Sequence, residues 1–300
     1  MSAGTSGSSP ARTCRVCWQR KDYDLHKTLA CGQAFRWTRE ADSWTGVVAG
    51  RCVTLRQEGE VLHAETTTPQ VDWRWLATYL QVDVDLGVIL KTFPDDAPLR
   101  AAVAAGRGLR LLRQEPWECL ASFILSSTKQ IVQIQQVVAL LCQRYGESLP
   151  TPPGRNTAAF SFPSSERIAC LGEAELRRCK TGFRAPYLLG AARAVADGRL
   201  NLEGLRVASL PEARERLMQL DGVGPKIADC VLLFACGFQQ AFPVDVWVER
   251  ALRELYFRNR KVAPDKLREF AATHFGQNAG YAQQYLFHHI RTRAEQKLSG

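Results

Sequence analysis

The spacing of apolar positions changes once along the chain. Between about residues 25 and 66 it is short and strand-like. Trp44-Thr45-Gly46-Val47-Val48 and Cys52-Val53-Thr54-Leu55 are β-rich runs separated by Ala49-Gly50-Arg51, and Val61-Leu62-His63-Ala64 follows a turn at Glu58-Gly59-Glu60. These runs predict an antiparallel meander. From residue 71 onward the spacing is helical. Trp73 to Leu80 carries apolar residues at 73, 75, 76, 79 and 80, Pro116 to Leu125 opens with proline in its first turn, and Val132 to Tyr145 is amphipathic and stops at Gly146. Pro150 to Gly154 reads as a loop, residues 1–12 read as a disordered Ser/Gly/Thr-rich start, and no repeat is found. The predicted class is α+β, mainly α. An antiparallel sheet domain with flanking helices spans 13–115, and a helical domain spans 116–300.

Composition narrows the picture. The chain has 300 residues, 46% apolar and 23% charged, the mix of a folded chain. Lys and Arg total 39 against 30 Asp and Glu, a net charge of +9 that suits a polyanionic partner. Apolar runs such as Val231 to Cys236 fall far short of the roughly 18 residues of a membrane helix, so no membrane partner is expected. Met1 to Pro10 has no apolar core, so it does not read as a secretory signal, and an intracellular location is expected, cytoplasm or nucleoid in a bacterium and nucleus in a eukaryote. The ten cysteines then read as thiols. Cys14 and Cys17 form one CxxC pair, but no second pair stands at zinc spacing and no cysteine follows Cys236, so neither metal nor cofactor is expected.

The most informative string is Leu220-Asp221-Gly222-Val223-Gly224-Pro225-Lys226-Ile227-Ala228-Asp229-Cys230, between a helical segment at 212–219 and an apolar helix at 227–236 that ends at Gly237. The two glycines make a tight turn and leave backbone N–H groups at the start of the second helix open to a phosphate. Read alone, they make an ordinary helical hairpin. Lys226 is one of only nine lysines against thirty arginines. Most lysines are solvated surface charges, but this one opens an apolar helix just past a phosphate-binding turn. A neutral amine there is a nucleophile that can form a Schiff base, which arginine cannot. Asp245, in Phe242-Pro243-Val244-Asp245-Val246-Trp247, reads as the N-cap of the following helix, and the same carboxylate at a cleft can stabilise a cationic sugar.

With these strings in hand, the chain resembles the eukaryotic type of 8-oxoguanine DNA glycosylase over residues 25–290. The resemblance is carried in order by Gly32-Gln33-Ala34-Phe35-Arg36-Trp37, Leu111 to Cys119, Gly182-Phe183-Arg184-Ala185, the hairpin, Pro243 to Val246, and Ala279 to Gln283, with Lys226 and Asp245 nineteen positions apart. It implies a bifunctional enzyme of base excision repair that acts as a monomer on double-stranded DNA containing oxidised guanine. By resemblance, Lys226 attacks C1′ of a flipped nucleotide and β-elimination follows, with Asp245 stabilising charge. The Gly32 carbonyl accepts the N7 hydrogen of the oxidised base, where ordinary guanine offers an acceptor. Cys230, one helical turn from Lys226, and Phe287 sandwich the base, and Gln283 reads its pairing edge. Gly222, Val223 and Gly224 meet the DNA backbone. Phe183 fills the stack, and Arg184 contacts the estranged cytosine. Five basic residues and no acid lie between Arg177 and Arg193, interleaved with Phe183 and Tyr187, as suits a DNA-facing surface.

The chain departs from the family on the DNA side. Thr128-Lys129-Gln130 replaces a run of three asparagines, Gln133 falls where a second arginine contacts the opposite cytosine, and Trp247 replaces a phosphate-contacting histidine. Thr128 is too short to fill the gap and contact cytosine, Lys129 adds a phosphate contact, and relaxed preference for the opposite base is expected. Two other readings compete: a monofunctional alkylbase glycosylase, which would lack Lys226, and a non-catalytic binding module, which would not need both Lys226 and Asp245.

Overall fold

The computed structural model describes residues 13–152 and 158–299. The N-terminal segment read as disordered, and the end of the loop predicted at 150–154, lie outside the described residues. The chain begins with β1 (Cys14–Gln19), α1 (Leu25–Ala30), β2 (Thr38–Glu40), β3 (Ser43–Val48), β4 (Arg51–Glu58) and β5 (Val61–Thr66). These strands form one antiparallel sheet in the order β1-β5-β4-β3-β2. The predicted meander is its centre. The two edge strands extend it, and β1 pairs with β5 from Cys14↔Thr66 to Gln19↔Val61. In β1, half-buried and exposed residues alternate, Cys14 half-buried and Cys17 exposed. Residues three apart on a strand face opposite sides, so this CxxC is a strand and not a chelating pair.

The helices follow: α2 (Arg74–Leu80), α3 (Leu86–Leu90), α4 (Ala97–Gly106), α5 (Pro116–Leu125) and α6 (Ile131–Tyr145). Past a short β6–β7 pair (Ser148–Leu149 and Ala159–Phe160) come α7 (Ser165–Ala169), α8 (Glu173–Arg177), α9 (Ala185–Ala196), α10 (Leu210–Met218) and α11 (Pro225–Val231). The last three are α12 (Val246–Leu255), α13 (Pro264–His274) and α14 (Ala279–Ser299). A π-helical turn, Leu232–Cys236, continues α11 and ends at Gly237 with φ +92°. The helix α5 runs over the predicted span. Glu115 caps it by accepting from the N–H groups of Trp117 and Glu118, Pro116 sits where no N–H is needed, and nearly all its residues are buried.

Two apolar cores meet along the extended segment 109–112. Leu55, Leu62 and Trp37 from the sheet pack with Leu76 and Leu80 of α2 and with Leu112. Leu109 and Leu111 face the larger helical core, built from α5, α6, α9, α11 and α14. The described residues include no helix long and apolar enough to cross a membrane.

Candidate active site

The hairpin joins α10 to α11. Gly222 has φ +79°, and a Cβ there would lie 2.4 Å from the Tyr187 ring of α9, so both backbone and packing require glycine. Gly224 differs: its φ is −95°, and a Cβ would meet nothing within 4 Å. Val223 between them is buried. Below the turn, Asp229 of α11 is buried and takes a 2.7 Å hydrogen bond from Arg214 Nε of α10, which fastens the two helices. Burial raises the Asp229 carboxyl above its ordinary value, with Arg214 opposing.

Pro225 at the first position of α11 turns the following residue, Lys226, toward a cavity of about 890 Å³. Its Nζ donates to Ser126 Oγ, the C-cap of α5, at 3.1 Å and lies 5.1 Å from the ring centre of Phe123 in the last turn of that helix. Asp245 lines the same cavity. It caps α12, its Oδ1 accepting from Trp247 N at 3.0 Å and Val248 N at 2.8 Å. Burial raises its carboxyl pKa, while the two N–H groups and the charge of Lys226 pull it back. Among the described residues no ion pair joins Lys226 to Asp245.

The far wall comes from the sheet domain and α14. Gly32 sits just past α1 with φ +78°. Its neighbours are fixed: Gln284 Nε2 donates to the Cys31 carbonyl at 3.0 Å, and Gln114 Nε2 donates to the Gln33 carbonyl at 2.6 Å. The fully buried Gln33 side chain donates to the carbonyls of Thr28 and Arg110 and accepts from Leu112 N, each at 2.8 Å. Between these pinned carbonyls, that of Gly32 accepts no hydrogen bond among the described residues. On α14, Gln283 and Phe287 are one turn apart and both line the cavity, with Cys230 of α11. Gln283 is 4% exposed and its Oε1 is buried without a partner. Burial pushes the Cys230 thiol up to about 12, against the pull of Lys226.

Thr128 and Lys129 also line this cavity, while Phe183, Arg184 and the hairpin glycines do not. Phe183 is 53% exposed. Arg184 is turned inward at 4% exposure. Its guanidinium donates to the Ser127 carbonyl, to Thr128 Oγ1 at 2.6 Å and to the Thr181 carbonyl at 3.3 Å, with Cζ 4.2 Å from the Phe183 ring centre. Thr128 itself has φ +55°, strained for a β-branched residue. Gln133 Oε1 accepts from Gln130 N at the start of α6, and Trp247 lines the cavity. The other basic residues of the stretch, Arg177, Arg178, Lys180 and Arg193, are exposed. Sequence reasoning missed Ser126, Phe123 and Gln284. None has a local signal, because each acts across 100 or more residues of chain.

A glycine hairpin that feeds a lysine into a cavity, facing a helix-capping aspartate, defines a DNA-repair domain of the helix-hairpin-helix class. Residues 121–275 match the HhH-GPD superfamily of base excision DNA repair proteins, and residues 15–120 match the 8-oxoguanine DNA glycosylase N-terminal domain. The chain belongs to this superfamily, in the group that carries that N-terminal domain. The N-glycosylase/DNA lyase of Saccharomyces cerevisiae is 34% identical over 267 residues, covering 81% of this chain and 70% of the yeast protein. The N-glycosylase/DNA lyase OGG1 of Arabidopsis thaliana is 31% identical over 281 residues, covering 88% and 76%. Among solved structures, the Clostridium acetobutylicum 8-oxoguanine glycosylase/lyase, in complex with double-stranded DNA containing cytosine opposite 8-oxoG, superposes with a TM-score of 0.86. It is 31% identical, with 93% of this chain and 98% of that one covered.

Proposed function

We infer that this chain is a DNA glycosylase with AP lyase activity that removes 8-oxoguanine from duplex DNA inside the cell. The observation that carries the reading is the Lys226 amine, which opens with Asp245 on one cavity and, among the described residues, has no ion pair to hold it protonated. The nucleotide is flipped into the cavity. The Nζ lone pair bonds to C1′ as the bond to the base nitrogen breaks, and that electron pair leaves with the base, which takes up a proton. The new amine loses its proton, the sugar ring opens with O4′ protonated, and a Schiff base results. Removal of a 2′ proton then expels the 3′ phosphate. Asp245 balances the positive charge that builds on the sugar.

Base choice follows from two free acceptors. The Gly32 carbonyl suits an N7–H, which 8-oxoguanine has and guanine lacks, so two acceptors would repel with the normal base. The unpartnered Gln283 Oε1 suits a donor on the pairing edge. Phe287 and Cys230 bracket the ring. On the opposite strand we read preference for cytosine as relaxed. Arg184 is committed to Ser127 and Thr128, and Gln133 to its own helix start. Lys129 and the exposed basic residues would grip phosphates.

Borohydride trapping on duplexes with a single 8-oxoguanine tests this. A covalent adduct is expected with the wild-type chain and none with Lys226→Gln. Base release without an adduct would make the enzyme monofunctional, and binding with neither would make it a binding module. Excision rates within about tenfold across the four opposite bases are expected, a spread of no more than about 1.4 kcal/mol. A cytosine preference of several hundredfold would refute the relaxed reading.

A further inference from the structure

Lys226 has one hydrogen-bond partner among the described residues, Ser126 Oγ at 3.1 Å. Ser126 caps the C-terminal end of α5, and its hydroxyl proton is already used: Oγ donates to the Phe123 carbonyl at 2.7 Å. The oxygen therefore offers the amine only lone pairs. Phe123 places its ring centre 5.1 Å from the same Nζ. Asp245 is not a second anchor: among the described residues no hydrogen bond or ion pair joins it to Lys226, and its Oδ1 accepts from the N–H groups that start α12.

We propose that Ser126 is a positioning residue for the nucleophilic amine. This rests on the reading of Lys226 as the nucleophile. A lysine has four rotatable carbons, so a free amine wanders over several ångströms. With one N–H anchored to a fixed acceptor, the nitrogen stays on the cavity floor, and its lone pair is confined to a cone around the anchored bond. A sugar that enters the cavity then meets the lone pair from a limited set of directions. That turns part of the orientational search into preorganised geometry. A hydroxyl suits the task better than a carboxylate, because it holds the amine without forming an ion pair that keeps it protonated.

The test uses the full chain on duplex DNA with one 8-oxoguanine, comparing wild type, Lys226→Gln, Ser126→Ala and Ser126→Thr. Single-turnover excision, the rate of borohydride-trapped adduct, DNA affinity and melting temperature are read for each. Ser126→Ala is expected to keep affinity and melting temperature and to lose roughly 10²-fold in excision and adduct rate, the cost of a misplaced reacting group. Ser126→Thr keeps the acceptor and is expected to recover most of the rate. A wild-type rate in Ser126→Ala overturns the proposal. Equal losses in the two variants, or affinity falling in step with rate, assign Ser126 to packing and also overturn it. An adduct that persists in Lys226→Gln refutes the nucleophile assignment instead, so the two failures are distinct.

Discussion

Asp245 works at a cost to stability, and the sign of that cost can be tested. Burial raises its pKa above the ordinary 3.8, so the folded chain holds the proton more tightly than the unfolded one. Below 3.8 both states are protonated and nothing is lost. As pH rises through the raised value, the buried charge becomes a penalty that remains at neutral pH. Asparagine caps a helix equally well without that charge. The melting temperature of Asp245→Asn minus that of wild type should therefore increase from acid to neutral pH, while excision at neutral pH falls by roughly 10² or more. A difference that does not change with pH would contradict the account. At this scale much of the site was legible in the sequence. Lys226 and Asp245 stand out by residue type and place, and the cavity gathers Gly32, Cys230, Gln283 and Phe287 around them. Ser126 was not legible, because a serine at the end of a helix carries no pattern that points 100 residues ahead. The inward turn of Arg184 was hidden too, since its partners Ser127 and Thr128 lie on another loop.

At the scale of elements, the two hairpin glycines looked equivalent in the sequence and are not. Gly222→Ala forces a Cβ against the Tyr187 ring at a positive φ and should cost roughly 2–3 kcal/mol of unfolding free energy. Gly224→Ala has open space and an ordinary φ, so stability should stay within about 0.5 kcal/mol or rise slightly. DNA affinity should nonetheless fall, because the added methyl would stand where the hairpin is proposed to meet phosphate. Denaturant titration beside binding isotherms separates the two effects. The clasp under the turn matters as well. Arg214→Ala leaves Asp229 buried and unpaired, which should cost about 2 kcal/mol, less than the 3–5 of a fully buried pair because Arg214 is 31% exposed. Helices such as α5 and the central strands could be read because their apolar period is strong. The edge strand β1 could not, because its polar half faces outward and its cysteines resembled a chelating pair.

For the whole molecule, the charge of +9 gains an address only in part. Arg177, Arg178, Lys180 and Arg193 lie exposed along one stretch, whereas Arg184 is spent inside the protein. Binding to undamaged duplex should therefore weaken linearly in log–log with salt, and replacing two of the exposed arginines should flatten the slope by roughly 2. A slope unchanged by those substitutions would move the grip elsewhere. The cavity lies against the helical core: Gly32 of the N-terminal domain lines it together with α11 and α14, and its neighbours Cys31 and Phe35 are themselves part of that helical core. The cavity wall has a chemical consequence of its own. Burial holds the thiols of the wall residues Cys31 at about 11 and Cys230 at about 12. Oxidants and alkylating agents react with thiolates, and these sulfurs almost never become thiolates at neutral pH. Cys17 and Cys170, both exposed, are left to take such reagents first. A glycosylase of oxidised guanine thus keeps the wall proposed to hold the base chemically inert under the conditions that create its work.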